Sequence, residues 1–274
     1  MTVPRTEWSA SPARATFGTL PVDLLWPGMA ACLGAVDALD APLRAEERPG
    51  TDGMAPVRWR EYVAGRTAAR RAIVRLTGRE TAVPRRADRS PGWPAGLCGS
   101  LSHTRSYAVA VVAHLDDYAA IGVDLETDAG VDRDLWDQIF TETEKQFLRN
   151  SPPAVGPQAA NLLFSAKEAY FKCLPRSLQR RAEAFDFHHL EISIDFATRR
   201  IAGSVAPGSD LPERSGRFTH FDGHWITLFS DRAGPRFPLG PSRPAAGSIE
   251  PLFNESDRSL GRAHLRNKQN QDIS

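Results

Sequence analysis

Two spacings of apolar residues run along this chain, one helical and one extended, and they mark out its elements. RWREYVAGRTAARRAIVRLTG (58–78) repeats apolar residues every three or four positions and ends at Gly78, a C-cap residue. TETEKQFL (141–148) opens on Thr141 and Glu144, the two halves of a capping box. QAANLLFSAKEAYFKCL (158–174) carries a stripe at Leu162, Ala166, Ala169 and Cys173 and stops ahead of Pro175. The strand period occurs in two groups. LCGSLS, YAVAVVA (107–113) and AAIGVDLE (119–126), joined by short polar turns, predict an antiparallel meander. HLEISIDF (189–196), RIAGSV (200–205), GRFTHF (216–221) and HWITLFS (224–230) form the second group, with Asp222-Gly223 as a hairpin turn. Short sheets interleaved with single helices give an α+β fold, with two related halves.

Outside these elements the chain is polar and irregular. Residues 1–20 read as an N-terminal arm. From Asp231 the sequence spaces Pro at 235, 238, 241, 244 and 251 without an apolar period, and 231–274 is expected to be a disordered, dispensable tail. The folded unit is then 21–230.

Composition narrows the classes. With 274 residues, 41% hydrophobic and 24% charged, the chain can build one large core or two small ones. A net charge of +1 argues against a nucleic-acid or membrane-surface binder, so any basic site must be local. Cys32, Cys98 and Cys173 are far apart, which points to reduced thiols in a cytoplasm rather than to disulfides or structural zinc. The opening MTVPRTEWSASPAR has no hydrophobic segment of a secretory signal, and no apolar run reaches membrane-spanning length.

The stretch IGVDLE (121–126) carries the first chemistry. Ile121, Val123 and Leu125 face one way, so Asp124 and Glu126 project together from the other face. Like charges so close repel. Either this is a polar strand end in solvent, or a divalent cation such as Mg²⁺ neutralises the pair and keeps positions for water and phosphate. A third carboxylate is available on FSAKEAYFK (164–172), where Asn161, Ser165, Glu168 and Lys172 share one helix face. Glu168 and Lys172 could equally be an ordinary surface pair. Lys167 lies off that face and could reach such a site only through its long stem.

Other residues suit phosphate. Arg66 falls among Trp59, Tyr62, Val63 and Ile73, inside the apolar stripe of its helix, where a charge needs a buried acid or a bound anion. Arg60, Arg71 and Arg75 fall on the opposite face and are expected to be solvated. His103 ends a strand beside Arg105. Asp186, His188 and His189 resemble a metal cluster, but adjacent residues of a strand point to opposite faces, so they are read as structural. No GxxxxGK[ST] or GxSxG occurs, which sets aside P-loop nucleotidases and α/β hydrolases.

GSLSH (99–103), IGVDLE (121–126) and FSAKEAYFK (164–172), in that order, resemble the signature of the 4′-phosphopantetheinyl transferases of the surfactin-synthetase-activating type. The arginine-rich helix and DRSPGWP (88–94) are similar to the enterobactin synthetase component D subgroup; Phe164 stands where the family motif often has Trp. The resemblance covers about 55–230. It implies two similar α/β halves related by a pseudo-twofold axis, meeting near 115–130, each a small antiparallel sheet packed on a long helix, with a coenzyme A cleft between them. It implies transfer of the phosphopantetheine arm of coenzyme A to a Ser of an apo acyl or peptidyl carrier protein, releasing 3′,5′-ADP, by a cytoplasmic monomer. Carried over, Asp124, Glu126 and Glu168 would hold Mg²⁺, with Mn²⁺ as a substitute. Arg58, Arg66, Arg89, His103, Lys167 and Lys172 would contact the phosphates of coenzyme A. Glu168 or a water on the metal would take the Ser proton, and Lys172 would stabilise the leaving group. Arg176, Arg180 and Arg181, just after the catalytic helix, are a candidate docking surface for an acidic carrier, or a solvated loop. A Mg²⁺-dependent phosphodiesterase and a non-catalytic carrier-binding protein are the rival functions.

Overall fold

The computed structural model describes residues 20–21, 23–152, 155–175, 178–179, 187–205 and 211–233. The arm before Leu20, the tail beyond Ala233, Arg176, Arg180, Arg181 and Asp186 lie outside the described residues.

Four layers stack in the order helix, sheet, sheet, helix. The first sheet contains β1 (Met29–Ala35), β2 (Leu97–His103) and β3 (Tyr107–His114), in the antiparallel order β1-β3-β2. The second has β4 (Tyr118–Thr127), β5 (Leu190–Asp195), β6 (Arg200–Val205), β7 (Arg214–Phe221) and β8 (His224–Arg232), in the order β4-β8-β7-β6-β5. Helix α1 (Pro56–Thr77) covers the outer face of the first sheet, and α4 (Gly156–Lys172) that of the second. Two short helices, α2 (Trp136–Ile139) and α3 (Glu142–Asn150), lead into α4. This is the expected α+β fold of two sheet-and-helix halves, with three strands against five.

The sequence explains the layering. In β3, Ala108, Ala110 and Val112 pack under the alanines of α1, while Val109, Val111 and Ala113 meet Ile121, Val123 and Leu125 of β4. Both faces are buried, so the strand reads as one apolar run. Burying a side chain such as Val123 or Leu125 contributes about 1.5–3 kcal/mol. A one-residue slip of β4 would instead drive Asp124 and Glu126 between the sheets, so this alternation fixes the register.

The meander is corrected. β2 and β3 pair, but β4 crosses to the other sheet and pairs with β8. Its apolar face covers the first sheet instead of extending it, and the place beside β3 is taken by β1, a strand of small residues that the pattern did not reveal. Strand β8 also runs through Arg232, past the end read from the sequence, because Asp231 holds the buried Arg214 at 2.9 Å. Leu20 is buried in the inter-sheet core, so the folded part includes it.

The helix signals match. Gly78 closes α1 at φ 73°, and both bonds of the Thr141–Glu144 capping box are made. Trp59 is 41% exposed and does not join the apolar face of α1. Arg75 is not simply solvated: it donates to the Ala31 carbonyl. His188 and His189 sit in a short 3-10 turn (Phe187–His189), not on a strand.

Candidate functional site at the seam between the halves

Gly122 brings α4 onto β4. A Cβ there would stand 1.9 Å from the Ala169 carbonyl oxygen and 2.5 Å from the Cys173 nitrogen, so no other residue allows this approach. The contact sets the last turn of α4 beside Asp124. Lys172 Nζ lies 2.8 Å from Asp124 Oδ1, and Ser102 of β2 donates to the same oxygen at 2.9 Å. Elements of both halves thus converge on one buried carboxylate.

The shared face of α4 is confirmed. Ser165 Oγ is 2.9 Å from Thr227 Oγ1, and Asn161 donates to the Thr127 carbonyl. Glu168 is buried on the same face, while Glu126 is half-buried two residues beyond Asp124. Among the described residues, no three His, Cys, Asp or Glu side chains are grouped at metal-holding spacing. With side chains as they stand, Lys172 holds Asp124 and the three carboxylates do not converge. The donor set nevertheless suits a hard divalent cation: all three residues offer carboxylate oxygens, two of them are buried, and Asp124 already holds a cation, the Lys172 ammonium.

A cleft of about 260 Å³ opens beside this point. Glu168 and Lys172 line it, with Arg86, Ser90, Trp93, Ser100, Ile121 and Phe171 among its other walls.

A second polar group lies across β2. Successive strand residues face opposite ways, so Ser102 turns to Asp124 while His103, like Leu101, turns to α1. His103 Nε2 is 3.1 Å from Arg58 Nη1, and Glu61 Oε2 is 3.5 Å from the same nitrogen. Glu61 was not anticipated, although its position three residues after Arg58 is a recognisable helical pair.

Arg66 is 1% exposed, its guanidinium 4.5 Å above the Tyr62 ring. Nε and Nη2 have no hydrogen-bond partner among the described residues, and burial pulls the guanidinium below the usual arginine range. Arg70, one turn on in the same stripe, is equally buried but pairs with Glu47, which also accepts from the Val83 N–H at 2.9 Å. That second arginine was visible in the pattern and was missed.

One assignment changes. Lys167 is fully buried and points away from the cleft. Its Nζ meets Glu144 Oε2 at 2.7 Å and the Phe187 and Leu190 carbonyls at 2.8 and 2.6 Å. It ties α4 to α3, and a pyrophosphate role is withdrawn. Glu144 therefore serves the cap, Lys167 and the Ile192 N–H together. Its burial raises the carboxyl's proton affinity, with Lys167 opposing. Arg89 is exposed in a tight turn at φ 66°, between the cleft-lining Arg86 and Ser90.

Fold and seam together define an α+β protein with a charged cleft where two sheet-and-helix halves meet. Two family models match it in tandem: the 4′-phosphopantetheinyl transferase N-terminal domain over residues 46–113, and the 4′-phosphopantetheinyl transferase superfamily over 120–228. The junction falls at the turn where the chain crosses from sheet to sheet. Relatives include 4′-phosphopantetheinyl transferase Npt of Nocardia iowensis, 31% identical over 62% of this chain and 77% of that protein. Enterobactin synthase component D of Salmonella typhi is 39% identical over 68% of this chain and 76% of its own. 4′-Phosphopantetheinyl transferase Svp of Streptomyces mobaraensis is 28% identical over 81% and 92%. The chain belongs to the 4′-phosphopantetheinyl transferase superfamily, and is a transferase enzyme. Among the described residues no helix is long and apolar enough to cross a membrane.

Proposed function

We propose that this chain moves the 4′-phosphopantetheine arm of coenzyme A onto a Ser of an apo acyl or peptidyl carrier protein, with Mg²⁺ or Mn²⁺ held by Asp124, Glu126 and Glu168. The carrying observation is Asp124: wholly buried, held by Lys172 and Ser102, beside a cleft that Glu168 and Lys172 line. A buried carboxylate is costly without compensation, so a seam that buries Asp124 and Glu168, with Glu126 two residues along β4, suits a cation-bearing anionic ligand. The bound metal would supply charge neutralisation for the pyrophosphate.

The chain's own residues do the rest. Lys172 moves from Asp124 to the pyrophosphate as coenzyme A enters and stabilises the departing 3′,5′-ADP. Arg58 and His103 hold a phosphate on the α1 side, and Arg66 supplies a further buried guanidinium. Glu168, in the cleft wall, accepts the proton of the carrier Ser as its oxygen attacks phosphorus and the bond to 3′,5′-ADP breaks. The relatives named for enterobactin synthase support carriers of siderophore, polyketide or nonribosomal peptide assembly. Three buried free thiols fit a reducing compartment such as the cytoplasm.

The test is intact mass of an apo-carrier panel incubated with coenzyme A, with Mg²⁺ and with chelator. Transfer adds the phosphopantetheine arm in the Mg²⁺ arm alone. Coenzyme A cleavage with unmodified carrier would mean a phosphodiesterase, and no turnover on any carrier a binding protein.

A further inference from the structure

The β2–β3 turn and the β7–β8 turn belong to different sheets, yet they are fastened together. Thr104 Oγ1 lies 3.2 Å from His224 Nε2. The direction of that bond follows from its neighbours. Thr104 Oγ1 accepts the Ser106 and Tyr107 N–H groups, each at 3.3 Å, so its lone pairs are used and its proton is left to donate. His224 Nδ1 is 2.7 Å from the Asp222 carbonyl oxygen, which can only accept. His224 is therefore assigned its proton on Nδ1, with Nε2 open to Thr104. Tyr107 braces the joint, its ring edge-on to His224 at 5.1 Å and to Phe221 at 5.4 Å, its hydroxyl donating to the Asp222 carboxylate.

The joint sits between two parts of the proposed site. Thr104 directly follows His103, which lies against Arg58. His224 is the cross-strand partner of Thr127, and Trp225 that of Glu126. One hydrogen bond thus links the residue after His103 to the strand pair that presents Glu126.

We propose that Thr104 and His224 are positioning residues: their bond fixes the spacing between the His103–Arg58 pair of one half and Glu126 of the other, so that one coenzyme A molecule meets both. This rests on the reading that His103 contacts a phosphate of coenzyme A. Neither Thr104 nor His224 lines the cleft.

Thr104→Val keeps the β-branched shape and removes the hydroxyl; His224→Phe keeps a ring and removes Nε2. Either change should raise the KM and calorimetric Kd for coenzyme A about five- to tenfold, with the carrier KM within about twofold. Thr104→Ser should restore wild-type values, and the double variant should be no worse than the poorer single one. If Thr104→Val fails to fold, His224→Phe reads the same bond. Equal changes in both substrates' KM, no rescue by Ser, or additive losses would overturn the proposal. His103→Ala is run alongside. If it leaves coenzyme A affinity unchanged, the phosphate reading falls and the positioning role with it. If it weakens affinity while Thr104→Val and His224→Phe do not, the positioning role alone is overturned.

Discussion

The two long helices handle buried charge in parallel ways, and the difference within each is instructive. Helix α1 buries Arg66 and Arg70 one turn apart. Helix α4 buries Lys167 and carries Lys172 near its end. In each, one cation is neutralised by an acid of its own half: Arg70 by Glu47, Lys167 by Glu144. Both acids also accept a backbone N–H, from Val83 and Ile192, so these pairs are part of the framework. The other cation of each helix is differently placed. Arg66 keeps two guanidinium nitrogens without hydrogen-bond partners among the described residues, and Lys172 reaches across the seam to Asp124 beside the cleft. A buried charge completed inside its own half holds the fold; Arg66 and Lys172 are the two that the proposed coenzyme A site draws on.

The largest expected effect tests the framework side. Lys167→Met leaves Glu144 buried without its cation and should cost about 3–5 kcal/mol of stability, read as a lower denaturation midpoint. Adding Glu144→Gln, which removes the unpaired charge but keeps an amide oxygen as acceptor for the cap or the Ile192 N–H, should recover part of it, while coenzyme A affinity of the folded fraction stays unchanged. A variant that folds normally but loses coenzyme A affinity would return Lys167 to the site.

Next comes Asp124→Asn, which keeps size but removes a charged ligand. Turnover should fall about a hundredfold or more, while coenzyme A binding changes little, and excess Mg²⁺ or Mn²⁺ should restore part of the rate. Normal turnover at ordinary Mg²⁺ would make the paired carboxylates a polar strand end.

Arg66→Ala sharpens the contrast with Arg70. Loss of a charge-assisted contact costs about 1.5–3 kcal/mol, so coenzyme A binding measured by calorimetry should weaken about ten- to a hundredfold. Thermal stability should hold, because no buried acid is orphaned. A stability loss as large as that of Arg70→Ala would place Arg66 in the framework instead.

The smallest effect concerns the thiols. Burial pushes Cys98 up to about 11 and Cys173 to about 12, so at pH 8 about a thousandth of Cys98, or less, is thiolate. Alkylation of the native enzyme, followed by mass, should be slow, even though Cys98 lines the cleft. Labelling should quicken as pH rises toward 11. Rapid modification at pH 8 would show that the seam opens more widely than the packing of α4 on β4 implies.

The sequence by itself determined what depends on nearby residues. Helix ends follow from Gly78 and from the Thr141–Glu144 box, the β7–β8 hairpin from Asp222-Gly223, and the shared projection of Asp124 and Glu126 from the period of two. The helical period placed Arg66 in an apolar stripe and Lys167 off the face of Glu168 and Lys172, each a local fact with a chemical meaning. Only the tertiary structure decided the partners. Whether β4 extends the first sheet or covers it depends on which surface its apolar face can bury, and that surface is built by the distant β1 and β3. Whether Lys167 meets phosphate or Glu144 depends on how α3 docks against α4, and Arg70 could be called structural only once Glu47 lay beside it. Spacing along the chain tells which face a charge occupies; the cost of burying it is settled by what the folded chain brings opposite.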